Sequence, residues 1–233
     1  SNKYKNHKEK FILSGSPRVD LWKKKVSPLN KRKFEQKYLL FSSNLTINNH
    51  ERSWEIIKRL KDLQYHKRNP DMINRYLLTR ADQYSLVVEF LKAFRHLVNR
   101  FQNLKIIVRP HPVENINAWK EYLKDLKNIK VIREGSISEW IHDAEAIIHN
   151  GCTSGLEGII ASKPVITYRP LNNLNNEIQF FNDIGCIVKN EEQLGEVVDL
   201  AIKNKSLFYK KNEEKYIKEI EKRVFKNYDN FSA

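Results

Sequence analysis

From residue 104 onward, short apolar runs alternate with longer stretches whose apolar residues recur every three or four positions. The runs are LKIIVRP, IKVIRE, EAIIHN, KPVITY and CIVK, and the stretches between and after them are INAWKEYLKDL, SISEWIHDA, SGLEGIIAS, NEIQFFNDIG and EEQLGEVVDLAIKN. An earlier run, KYLLFSSN at 37–44, opens the series. Continuous apolar runs, rather than every-other-residue patterns, predict strands buried on both faces, and the intervening period predicts helices. About six such strands alternating with helices form a Rossmann-like parallel α/β sheet with helices on both faces.

Two helices are predicted between the first two strands. NNHERSWEIIKRLKDL places Trp54, Ile57 and Leu60 on one face, and DQYSLVVEFLKAFRHLVNRF carries Leu86, Phe90, Phe94 and Leu97 at helical spacing with an N-cap near Asp82. The segment between them, QYHKRNPDMINRYLLTR, is broken at Pro70 and reads as an insertion or a helical hairpin. The pattern divides the chain into a basic linker at 1–36, with a turn at Gly15–Pro17, a Rossmann-like α/β domain at 37–205 and a charged helical tail at 206–233.

Composition narrows the partners. The 233 residues are 40% hydrophobic, enough for a packed core, and 42 Lys and Arg against 28 Asp and Glu give a net charge of +14. Such a balance suits a polyanionic partner, whether nucleic acid, an anionic membrane surface or a phosphorylated substrate. A general lysine bias of the sequence is the plainer reading. The tryptophans and phenylalanines sit at helical spacing, as core residues do, and no aromatic RNA-binding motif is present, so nucleic acid is not an expected partner. Cys152 and Cys186 form no C-x-x-C pair or disulfide framework, which fits a reducing cytoplasm. No apolar run approaches the roughly 20 residues of a membrane span, and the basic opening SNKYKNHKEK does not read as a signal peptide. The expected location is the cytoplasm. The basic residues of 23–37 and 203–222 read as solvated faces, with contact to the inner face of the cell membrane as the functional alternative.

In doubly wound sheets, ligands bind beyond the carboxyl ends of the strands. Here those ends carry Ser42, Ser43 and Asn44; Arg109, Pro110, His111 and Pro112; the stretch HNGCTSGLEG from His149 to Gly158; and Tyr168, Arg169 and Pro170. In the third of these, Gly151 permits a tight turn and Thr153 or Ser154 can cap the next helix. The N–H groups of that helix and its dipole form an anion site. Asn150 stands beside the turn, and Glu157 lies one turn in, where it can accept from sugar hydroxyls. An ordinary capped helix after a tight turn is the competing reading. His111 is held between two prolines that fix the backbone and carry no N–H. Arg109 offers a fork suited to phosphate. A satisfied loop histidine is the alternative. There is no G-x-x-x-x-G-K-[ST] or G-x-G-x-x-G, and His111, His142 and His149 lack zinc-ligand spacing, so neither a redox dinucleotide nor a metal is expected.

Taken together, RPHP at 109–112 and HNGCTSGLEGIIASKPVITYRP at 149–170 resemble the nucleotide-sugar-binding C-terminal half of GT-B glycosyltransferases. More narrowly they resemble bacterial surface carbohydrate biosynthesis proteins, and the capsular and lipopolysaccharide transferases that use CMP-activated Kdo or other nonulosonic acids. SGSPRVDLW and YLLFSSNLTINN resemble the segments that leave the N-terminal domain and open the C-terminal one in such proteins. The resemblance implies a glycosyltransferase with no required cofactor, a CMP-sugar as donor substrate and a glycan or glycolipid as acceptor. It implies that His111 and Pro112 bind the CMP phosphate, that Thr153 and Ser154 complete the phosphate site, and that Glu157 meets the ribose. With the strand-end reading, the candidate set is His111 and Arg109 as catalytic residues, and Ser43, Asn44, His111, Pro112, Asn150, Gly151, Thr153, Ser154 and Glu157 as nucleotide-binding ones. Since GT-B enzymes close their site between two such domains, this chain is expected to be the donor half of a larger protein. The alternatives are a CDP-glycerol glycerophosphotransferase-like enzyme, a UDP-sugar enzyme, or a non-catalytic nucleotide-binding scaffold.

Overall fold

Strand β1 (Tyr38–Ser42) is buried at all five positions and lies in the middle of the sheet. Its alternation divides the core. Leu39 and Phe41 face one cluster, with Phe90, Phe94 and Trp119, while Tyr38 and Leu40 face a second, with Ile107, Trp140, Ile147 and Leu156. The phenyl ring of Phe41 meets Phe90 and Phe94 edge-on, with centroids 5.0 and 4.8 Å away, a favourable packing of ring quadrupoles. A strand covered on both sides must be apolar throughout, which is why the sequence shows a run and not an alternation.

The computed structural model describes residues 36–46, 49–50, 52–62, 67, 69–172, 174 and 179–208, together with Val19 and Trp22. The expected Gly15–Pro17 turn, most of the basic linker and the tail beyond 208 lie outside the described residues. After β1 come α1 (Ser53–Asp62), α2 (Met72–Arg100), β2 (Lys105–Arg109), α3 (Ile116–Tyr122), β3 (Ile129–Val131) and α4 (Ile137–Asp143). They are followed by β4 (Ala146–His149), α5 (Thr153–Ile160), β5 (Val165–Tyr168), α6 (Gln179–Asn182), β6 (Cys186–Val188) and α7 (Glu191–Lys203). Every strand pairing is parallel, and the spatial order is β3-β2-β1-β4-β5-β6. This is the Rossmann-like α/β arrangement that the alternating pattern predicts.

Helix α2 corrects the sequence reading. It starts at Met72, with Asp71 at the N-cap position, and runs unbroken for 29 residues. Asp82 lies inside it and is not at its N-terminus. No proline or glycine stands between 72 and 100, so the helix continues once Pro70 is passed. Tyr76 and Thr79 are buried along with Leu86, Phe90, Phe94 and Leu97, so the segment belongs to the same packed helix and is not an insertion. Among the described residues no helix is long and apolar enough to cross a membrane.

Candidate functional site

The chain leaves β1 toward β2 and β3 on one side and resumes at β4 on the other. Loops beyond the carboxyl ends of β1 and β4 therefore diverge and leave a crevice. A cavity of about 490 Å³ occupies that end of the sheet. Its walls come from four places: Ser42 and Ser43 after β1, the Arg109–Pro112 corner after β2, the loop around Arg133 and Gly135 after β3, and the start of α5.

The start of α5 is held from below by His149. This histidine is completely buried at the end of β4. Its Nδ1 accepts from the Cys152 N–H at 3.3 Å, and its Nε2 lies 2.9 Å from Thr167 Oγ1, whose hydroxyl donates to the Ile184 carbonyl. The hydroxyl proton is thus used, so Nε2 carries the ring proton and donates to Thr167, which assigns the neutral tautomer. Burial pushes the ring down to about 4, against a smaller opposing influence from Ile184. The ring fits beneath the helix because residue 155 is glycine: a Cβ there would sit 2.3 Å from His149 Nε2. Gly151, at φ +64, makes the turn into α5.

Cys152 occupies the N-cap position of α5 and makes no side-chain capping bond, so neither Thr153 nor Ser154 caps the helix as expected. Both belong to its first turn. Thr153 is exposed. Ser154 is 2% exposed, lines the cavity, and its Oγ is buried with no hydrogen-bond partner. Native structures rarely leave a buried hydroxyl unpaired. The first N–H groups of a helix also lack intrahelical acceptors. Glu157, one turn on, lines the same cavity and accepts from Ser138 Oγ at 3.0 Å.

Arg109 departs from its expected role. Its side chain is buried, Nη1 donates to the Glu134 carbonyl at 2.5 Å, and Nη2 to the Gly135 and Arg133 carbonyls at 2.8 and 3.5 Å. The guanidinium lies 5.5 Å from the Trp140 ring centroid. Burial lowers its pKa from the ordinary value, opposed by the nearby Glu139, Tyr38 and Glu134. The fork that the sequence offers to phosphate is thus spent on the turn after β3, where Gly135 sits at φ +67. Arg109 lines the cavity and shapes its wall. A second cation lining the cavity is Arg133, which the strand-end reading passes over.

Glu114 is the other residue missed. It is fully buried, and its carboxylate accepts from Ser43 Oγ at 2.8 and 3.0 Å, Leu45 N at 3.0 Å, His111 N at 3.1 Å and Trp119 Nε1 at 2.7 Å. Its backbone carbonyl accepts from Arg133. One carboxylate therefore joins the ends of β1 and β2 to helix α3. Its only sequence signal is an acid two residues beyond Pro112 and directly before the helix cap Asn115. That cap accepts from Asn117 and Ala118 N–H.

Of the expected site residues, Ser43, Arg109, His111, Pro112, Thr153, Ser154 and Glu157 share the cavity wall. Asn44, Asn150 and Gly151 stand beside it. Asn44 N donates to Asn150 Oδ1 at 3.2 Å, and Asn44 Nδ2 to the Gly151 carbonyl at 3.0 Å. These bonds tie the β1 and β4 loops together, so those three residues brace the crevice.

No family model matches the chain, and no curated protein sequence does. Solved structures are similar in chain path. MnaA from S. aureus, in a co-structure with UDP, is 13% identical with a TM-score of 0.49 over 91% of this chain and 50% of its own. WaaG, a glycosyltransferase involved in lipopolysaccharide biosynthesis, is 16% identical with a TM-score of 0.42 over 90% of this chain and 52% of its own. The UDP-GlcNAc 2-epimerase of Methanocaldococcus jannaschii is 16% identical with a TM-score of 0.42 over 82% and 44%. The chain thus spans about half the length of these structures. Likeness at this level says nothing of what this chain binds.

Proposed function

We propose that this chain is the donor-binding half of a GT-B glycosyltransferase, and that its cavity holds the phosphate of a CMP-activated sugar, a nonulosonic acid such as Kdo, for bacterial surface polysaccharide synthesis. The observation that carries the reading is Ser154: a hydroxyl buried without a partner, at the start of a helix, facing a cavity bordered by His111 and Arg133. Such a group is costly unless something accepts its hydrogen bond. A phosphate oxygen satisfies it together with the free N–H groups of α5. The resemblance of the two strand-end motifs supports a nucleotide-sugar, with Glu157, which lines the same cavity, as the acceptor for ribose hydroxyls.

In transfer, an acceptor hydroxyl oxygen bonds to the anomeric carbon and gives up its proton to a base, while the bond between that carbon and the phosphate oxygen breaks with its electron pair staying on phosphate. Fixed donors stabilise that developing charge in the crevice. Here they are Ser154 and Thr153 at the helix start and the ring Nε2 of His111, with Arg133 supplying charge. Arg109 contributes by holding the 133–135 turn. The acceptor, and any base that activates it, belong to the other half of such an enzyme.

Calorimetric titration with CMP, CDP and UDP tests this. Binding of CMP that weakens in His111→Ala is expected. Binding of UDP alone, or CMP affinity unchanged in His111→Ala, contradicts the CMP assignment.

A further inference from the structure

We propose that Glu114 is a positioning residue for His111, an inference that rests on the nucleotide reading of this cavity. Pro110 and Pro112 carry no N–H, so the His111 N–H is the sole backbone donor between Arg109 and Val113. It is committed to Glu114 Oε1 at 3.1 Å, and Glu114 N returns a bond to the His111 carbonyl at 2.9 Å. The turn is therefore closed at both ends by one residue. Val113 N donates to His111 Nδ1 at 3.4 Å, which leaves Nε2 as the ring nitrogen available to a ligand. The same carboxylate holds Ser43 Oγ, on the adjoining wall of the cavity, through both of its oxygens.

The carboxylate is the shared acceptor of four donors, from Ser43, Leu45, His111 and Trp119. Leu45, Trp119 and Phe41 surround the region with apolar core, and Glu114 is 0% exposed. A buried carboxylate is expensive and is kept where its geometry matters. Here that geometry sets where two cavity residues from different strands stand relative to each other. Glu114 is not among the residues lining the cavity and acts through His111.

The test is a double-mutant cycle read by CMP calorimetry. Glu114→Gln keeps the size but turns an amide N–H₂ toward a ring of donors. CMP affinity is expected to fall about tenfold in the otherwise normal chain, since bonds to a charged acceptor are among the stronger ones. In a His111→Ala background the same change is expected to cost little more. Equal losses in both backgrounds would make Glu114 a general brace and overturn the proposal. Should Glu114→Gln fail to fold, Trp119→Phe deletes one donor to Oε2 while keeping an aromatic ring at that core position. It is expected to weaken CMP about threefold, again only where His111 is present, and an equal loss without His111 overturns the proposal. If the normal chain binds no CMP, the nucleotide reading itself has failed. The positioning claim is then read from the His111 ring in ligand-free protein by long-range ¹H–¹⁵N spectra. A single tautomer with a proton on Nε2, becoming mixed in Glu114→Gln or Trp119→Phe, is expected; ring signals unaltered by those changes overturn it.

Discussion

Ser154 and His149 are two buried polar side chains at one strand–helix junction, and they have opposite bond inventories. His149 has a partner at both nitrogens, whereas the Ser154 hydroxyl has none. Removing the Ser154 hydroxyl should therefore leave stability unchanged or slightly raised, since no bond is lost. Ser154→Ala is expected to keep its melting temperature and to weaken CMP about fivefold by calorimetry; a clear loss of stability would show that the hydroxyl serves the fold. Gly155 presents the converse case. Gly155→Ala would press a methyl against His149 at 2.3 Å and should destabilise by more than about 2 kcal/mol in denaturant unfolding. At this scale the sequence was informative about identity and poor about commitment. Thr153, Ser154 and His111 were legible because turns and prolines mark them. Arg109 was not, because whether its fork meets phosphate or carbonyls depends on a turn 24–26 residues away.

At the β4–α5 junction, burial of His149 is expected to make stability sensitive to acid. His149 is neutral when folded, with its pKa depressed from 6.5 to about 4. The unfolded chain takes up a proton near 6.5 that the folded chain refuses until about 4, so stability rises with pH across that window. This group's contribution is whole above about 6.5 and is lost as pH falls to 4, a change of roughly 3 kcal/mol. Denaturant unfolding at pH 7 and at pH 4.5 should show the fall, and the His149 ring signals should not titrate above pH 5. A ring that titrates near 6.5 would refute the buried tautomer. The strands and most helices were readable because parallel strands buried on both faces and amphipathic helices leave different periods in the chain. The first ten residues of α2 were hidden because Pro70 draws attention to a break, while the packing of Tyr76 and Thr79 that extends the helix is tertiary. Helix α7 is simpler. Its cap Asn190 accepts from Gln193 N at 2.9 Å, and Asn190→Ala should cost about 1 kcal/mol in thermal unfolding.

Across the whole molecule, the strand order places the ends of β1, β2 and β4 side by side, and so gathers into one cavity residues more than a hundred positions apart, such as Ser42 and Thr153. The alternation of strands and helices predicts that sheet, and the sheet's switch point predicts where to look. Glu114 lay beyond such reasoning: its donors come from residues 43, 45, 111 and 119, and only the folded sheet brings them to one carboxylate. The central claim is that this crevice binds a nucleotide phosphate at the start of α5. A ¹H–¹⁵N titration of the chain with CMP tests it most directly. The account predicts saturable shifts centred on the amides of Thr153, Ser154 and His111, abolished in the His111→Ala, Ser154→Ala double variant. Shifts centred elsewhere, or none at millimolar CMP, would contradict it.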